Sequence, residues 1–308
     1  MAARATRSAS RAARVTEAVA TGPLGALSHD ELGVIVDGLA DPLQPVVAVA
    51  LSGTCLGLRT PLRAVLEVLK ERNERAVALC HKMETSCAQL RDAEELIWIG
   101  NNEKELTADD VATLGMLLQT NRLPQLVYCD LSGNGFEDSS MQTLIEGLGR
   151  GGAPSLRILA LAHNIIGPVG AEALATALLR GVLPKLERLN LGHNPIGNKG
   201  VRALAKPLRS RMPALQDLFL GTCGIGDEGV ASLVSNLGKD DFRQLNQLWL
   251  SGNKLADVGM GTLAEAFETG GLPKLSCDDW LVLGFFRHNP ASAAAVQAAR
   301  DALTKRLQ

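Results

Sequence analysis

His163 and His193 come closest to chemistry by residue type and spacing. They stand 30 residues apart in near-identical settings, Leu161-Ala162-His163-Asn164 and Leu191-Gly192-His193-Asn194. If a fixed repeat places them on adjacent strands, their imidazoles lie about 5 Å apart, where a transition metal is the chemistry to consider. A closed site needs more ligands, and the matching positions hold Gly133, Thr222 and Gly252. The pair therefore reads as two polar turn residues, and no metal is assigned. No phosphate-cradling loop, HExxH helix or GxSxG nucleophile elbow occurs, and no cofactor is implied. Arg188 and Asp217 read as a cross-strand ion pair rather than a catalytic one.

What remains is recognition chemistry. The chain has only ten aromatic residues (3 Trp, 1 Tyr, 6 Phe). Four of them, Trp98, Tyr128, Phe219 and Trp249, fall between the leucines of short alternating segments, where side chains point away from a core. Exposed aromatics cost solubility, and Trp and Tyr are enriched among binding hot spots. With Asp130, Ile158, Arg188, Asn190, Asp217 and Gln247 they form the candidate partner-binding set. Between the two aromatic ends the face is nearly bare, at Ala160, Ala162 and Gly192.

The segments that must position these residues recur at spacings of 30, 30, 29 and 30. The copies are Leu126/Cys129/Leu131/Asn134/Phe136, Leu156/Leu159/Leu161/Asn164/Ile166, Leu186/Leu189/Leu191/Asn194/Ile196, Leu215/Leu218/Leu220/Cys223/Ile225 and Leu245/Leu248/Leu250/Asn253/Leu255. Apolar residues two apart share one side of a strand. A second pattern at i, i+3, i+7 follows each turn, from Met141/Leu144/Leu148 to Val230/Leu233/Leu237 and Met260/Leu263/Phe267, and is one face of a helix. Pro124, Pro154, Pro184, Pro213 and Pro273 are read as helix stops. The turn Asn is expected to bond backbone, and Gly167, Gly197 and Gly226 to allow a tight start to the helix.

Degenerate copies flank the five. Upstream, Ile97, Ile99 and Asn102 are matched to the pattern, which puts Leu96, Trp98 and Gly100 on the outward face. Downstream, Leu272, Pro273 and Leu275 begin a copy broken by about half a dozen extra residues around Trp280 to Phe286, and an alanine-rich helix closes it. The pattern resembles the leucine-rich repeat, of the ribonuclease-inhibitor type by its length. The resemblance implies an α/β solenoid, a right-handed βα horseshoe with a parallel sheet on its concave face, over residues 94–308 with a C-terminal cap at about 276–308.

Residues 23–60 lie outside the repeat. Leu27-Ser28-His29-Asp30-Glu31-Leu32, then Ile35 and Leu39, closing on Thr54-Cys55-Leu56-Gly57-Leu58-Arg59, resembles an F-box, with Ser28 and Leu58 where that family has Pro and Trp. The resemblance implies an all-α module in which Leu27, Leu32, Ile35 and Leu39 dock a Skp-type adaptor of a cullin ubiquitin ligase. The competing reading is a helical cap on the solenoid. Residues 1–22 carry Arg4, Arg7, Arg11 and Arg14 and read as a disordered basic tail or a targeting segment. Residues 61–93 read as one long helical connector and N-terminal cap, with Leu62, Leu66, Leu69, Asn73, Ala76, Cys80, Met83, Cys87 and Leu90 along one stripe.

Length (308 residues), 46% hydrophobic content and a net charge of −2 mark a globular chain without a nucleic-acid signature. No apolar run reaches the roughly 18 residues of a membrane span. Six cysteines without CxxC spacing fit reduced, buried thiols. The expectation is a monomeric, non-enzymatic protein-recognition module, cytoplasmic or nuclear, or organellar if residues 1–20 are a transit peptide. The alternatives are a free-standing scaffold or regulator, and a GTPase activator of the Ran type.

Overall fold

The computed structural model describes residues 41–45, 63–100, 105–120, 123–149, 153–238, 240–275 and 286–305. The basic tail and most of the box-like module, with Leu27, Leu32, Ile35 and Leu39, lie outside them, as does Asn102. The chain divides into two compact units, Met1–Leu90 and Arg91–Gln308.

In the first unit the expected single connector is two helices. Helix α1 (Arg63–Lys82) buries Leu69, Ala76, Leu79 and Cys80. Asn73, an odd member of an apolar stripe, donates its amide to Pro42 O at 2.5 Å. The helix stops after Lys82, and a five-residue helix α2 (Cys87–Arg91) begins anew. Ser86 and Gln89 supply the start: Gln89 N–H donates to Ser86 Oγ (3.2 Å) and Ser86 N–H to Gln89 Oε1 (3.0 Å).

The second unit repeats one strand and one helix. Its order is β1 (Glu95–Ile97), α3 (Ala108–Gln119), β2 (Tyr128–Asp130), α4 (Asp138–Leu148), β3 (Ile158–Ala160), α5 (Pro168–Leu179), β4 (Arg188–Asn190), α6 (Gly197–Ser210), β5 (Asp217–Phe219), α7 (Asp227–Val234), β6 (Gln247–Trp249), α8 (Asp257–Glu268) and α9 (Ala293–Lys305). The six strands form one parallel sheet in chain order, with Cys129, Leu159, Leu189, Leu218 and Leu248 in register. These residues and the next in-facing row, Leu131, Leu161, Leu191, Leu220 and Leu250, are buried together with the helix stripe Met141, Leu144, Leu174, Val201, Leu204, Leu233 and Leu263. A strand of three residues has little pairing of its own, so burial of its leucine side against the helices holds it in place.

Polar ladders run along the stack. Asn164 Oδ1 accepts from the backbone N–H of Asn134 (2.9 Å) and Phe136 (3.0 Å), while its amide donates to Leu131 O, Leu161 O and Ala162 O. Asn134, Asn194 and Asn253 do the same between their own neighbours. A second ladder caps helices across repeats: Asp138 Oδ1 accepts from Gly167 and Gly170 N–H, Asn198 from Gly226, Asp227 from Ala256, and Asp257 from Ser292. Glycine in the first turn of the next helix makes room for this. A Cβ on Gly229 would stand 2.7 Å from Asn198 Oδ1.

One turn departs from the others, for a compositional reason. Cys223 offers no amide oxygen to Ile196 N–H, and Pro168 offers no cap to Gly197. Ile196 N–H instead bonds Asn194 O, Gly197 N–H bonds Cys223 O, and Gly197 turns to a φ of +62°. The Cys223 thiol donates to Leu191 O at 3.3 Å, keeping one of the bonds an Asn amide makes elsewhere.

Two expectations are corrected. The prolines do not stop the helices. Pro124, Pro154, Pro184, Pro213 and Pro273 each occupy the second position of a turn closed by a bond such as Leu156 N–H to Ala153 O (3.2 Å), where the ring's fixed φ suits the approach to the strand. Helix α7 ends at Val234, before Leu237, because Arg209 takes the carbonyls of Ser235 and Asn236 along with the Asp241 carboxylate. The last copy, with its extra residues, keeps the turn: Asn289 accepts from Leu255 N–H (3.1 Å) and donates to Leu250 O (2.9 Å).

Candidate recognition face

The sheet's other side carries three columns of side chains. Register places Glu95, Tyr128, Ile158, Arg188, Asp217 and Gln247 in the first, and Ile97, Asp130, Ala160, Asn190, Phe219 and Trp249 in the second. The third, one step further along, is Ile99, Ser132, Ala162, Gly192, Gly221 and Ser251.

The register of β1 corrects the sequence reading. Leu96, not Ile97, aligns with Cys129, and Trp98 N–H pairs with Asp130 O at 2.7 Å, the same pairing that Leu131 makes with Ala160. Trp98 therefore fills the leucine row and is only 8% exposed, whereas Ile97 and Ile99 are 50% and 60% exposed on the open side. A register slip of one residue exchanges every side chain between faces. Trp98 leaves the candidate set, Leu96 leaves the outward face, and the two isoleucines join the set. The signal was Leu96 itself, two residues before Trp98 as Leu159 is before Leu161.

Phe219 and Trp249 stack on adjacent strands, ring centroids 5.8 Å apart and planes at 19°. Trp249 donates its indole N–H to Gln247 Oε1 at 3.1 Å. Arg188 donates from Nε (2.9 Å) and Nη2 (2.7 Å) to Asp217 Oδ2, and its guanidinium lies 6.0 Å from the Phe219 ring. Asp217 is buried beneath that pair. Arg188, Asp217, Gln247, Phe219 and Trp249 thus form one cluster, with the polar groups fixing the rings from the side.

At the other end Tyr128 donates its hydroxyl to Asp130 Oδ2 (3.0 Å), and Ser132 N–H donates to Asp130 Oδ1 (3.0 Å). Burial and that bond push the Tyr128 phenol up from its ordinary value. Asp130 itself is buried, so it braces Tyr128 and offers little charge to a partner. Ile158 is half-buried beside Tyr128, and Asn190 Oδ1 accepts from Gly192 N–H at 3.0 Å. The middle is floored by buried Ala160 and Ala162.

His163 and His193 stack at a centroid distance of 4.0 Å with planes at 13°. Both hold φ near +55°, as does Thr222, so the repeat imposes a left-handed turn residue here. Burial, then the neighbouring His163 imidazole, holds His193 below its ordinary value. Among the described residues no group of three or more His, Cys, Asp or Glu is placed to hold a metal. Among them, too, no helix is long and apolar enough to cross a membrane.

Three stretches, residues 152–175, 182–205 and 213–234, match the family model described as Leucine Rich repeat. No curated protein matches the chain. The matched stretches coincide with the third to fifth strand-and-helix units, and the parallel sheet continues the same unit on both sides of them. The matched repeats and the parallel sheet give this chain the fold of a leucine-rich-repeat α/β solenoid.

Proposed function

We propose that the sheet face opposite the helices is concave and binds a protein partner without performing chemistry on it. Leucine-rich repeats in general mediate protein–protein contacts. The observation that carries the reading here is the Phe219–Trp249 stack, half-buried beside the small-residue middle of the face and held rigid by Arg188, Asp217 and Gln247. Aromatic anchors with their polar neighbours already satisfied lose little entropy on docking, which is how hot spots concentrate binding energy. Tyr128, Ile158, Ile97 and Ile99 give the face a second apolar end, so the partner fits as an element spanning several strands with anchors at both ends.

The sharper form, a substrate receptor docked to a Skp-type adaptor through Leu27, Leu32, Ile35 and Leu39, rests on the sequence pattern alone. The free-standing scaffold is its rival.

The test is affinity capture with the double variant Phe219→Ala, Trp249→Ala against wild type. A partner held by wild type and lost from the variant, at a similar melting temperature, supports the reading. An unchanged partner set would overturn it. Recovery of an adaptor and cullin, abolished by Leu32→Asp in a still-folded protein, separates the receptor from the scaffold.

A further inference from the structure

After Lys82 the chain closes in a Schellman turn. Thr85 N–H donates to Cys80 O (2.9 Å), Glu84 N–H donates to His81 O (3.1 Å), and Glu84 takes a φ of +54°. The Ser86–Gln89 capping box then starts α2 immediately, with Cys87 as its first residue. These two motifs reverse the chain tightly and bring Cys87 back beside Cys80 in the last turn of α1. The Cys87 thiol is a close enough neighbour to act on the Cys80 proton. Both are free thiols, Cys80 buried and Cys87 half-buried. Recognition on the sheet uses neither, and Cys129 and Cys223, by contrast, are buried in the repeat core.

We propose that Cys80 and Cys87 are a peroxide-responsive dithiol, in which Cys87 is oxidised first and Cys80 closes a disulfide across the Schellman turn. In the first step the Cys87 thiolate attacks one oxygen of a hydroperoxide. An S–O bond forms, the O–O bond breaks, and the departing oxygen takes a proton to leave as an alcohol or, from hydrogen peroxide, as water. In the second, Cys80 Sγ attacks the Cys87 sulfenic sulfur. The S–S bond forms, the S–O bond breaks, and the hydroxide leaves as water with the Cys80 proton. Two thiols lose two electrons together, and one peroxide gains them.

Burial, with the neighbouring Cys87 adding to it, pushes the Cys80 thiol up to about 12. The second step is accordingly the slower one and quickens as pH rises, since it needs the Cys80 proton removed. The product would pin the end of α1 to the start of α2.

The test treats the full-length protein with hydrogen peroxide, blocks remaining thiols by alkylation and digests with trypsin. Cleavage after Arg75, Lys82 and Arg91 separates Cys80 on 76–82 from Cys87 on 83–91. The expected result is a linked peptide pair that disappears on reduction and forms faster at higher pH. Cys87→Ser abolishes the pair, and Cys80→Ser leaves a Cys87 sulfenic acid that dimedone traps. Should Cys80→Ser fail to fold, the wild-type peptides and Cys87→Ser still decide. Recovery of both peptides fully alkylated, or of Cys87 as sulfinic acid with Cys80 untouched in wild type, would overturn the proposal.

Discussion

Asn164 contacts five backbone groups on two repeats, so it is a structural joint rather than a decoration of the turn. Asn164→Ala strands buried N–H and C=O groups, and the expected loss is about 2–4 kcal/mol of stability, read from urea midpoints. The same replacement at exposed Ser139 should change them little. His193 gives a pH signature of known sign. Its folded pKa lies below the ordinary 6.5, so the unfolded chain binds the proton more tightly. The associated stability is present above 6.5 and is lost as pH falls through the folded value. Urea midpoints should drop between neutral and mildly acid pH, and His193→Ala should flatten that drop. A steeper drop in the variant would contradict the stacking account.

At the scale of elements, the structure makes opposite forecasts for neighbours on β1 and just beyond it. Trp98→Ala removes a buried indole from the leucine row and should cost about 3–5 kcal/mol. Ile97→Ser should leave stability almost unchanged while weakening partner capture. The reverse pattern would restore the register first read from the sequence. Glycines divide in the same way. Gly229→Ala drives a Cβ against Asn198 Oδ1 and Ile225 Cγ2, both at 2.7 Å, and should destabilise by about 1–3 kcal/mol. Gly261→Ala in α8 meets nothing within 4 Å and should stabilise by about 0.5–1 kcal/mol, measured by thermal melting. Strand and helix faces of the five regular copies were legible because leucine spacing alone decides them. The first copy was not, since insertions hid its phase. Nor was the break between α1 and α2, where an apolar stripe outweighed the Ser86–Gln89 capping signal. Gly170, Gly229 and Gly259 repeat as plainly as the leucines, yet their reason, a carboxylate or amide arriving from the preceding copy, exists only in three dimensions. Phe219, Trp249, Arg188 and Asp217 fell together because they follow the regular register.

Across the whole second unit, each copy leans on its neighbours and on little else. Amide exchange should therefore be slowest at the centre, at Leu161, Leu191 and Leu220, and faster at Trp98 and Gly252, as mass spectrometry of exchanged peptides would register. Uniform protection from end to end would point to a globular core instead of a stack. The cross-repeat caps add a polarity to that stack. Asp138, Asn198, Asp227 and Asp257 each serve the helix that follows, never the one before. Tandem duplication therefore has grammar: a unit that begins with Asp or Asn tolerates any glycine-bearing successor, so copying the 227–256 segment in line should yield a longer folded array. Doubling the Pro168 unit would instead repeat a junction with no side-chain acceptor to hand on, and growth at that seam would be weaker than at an Asp or Asn one.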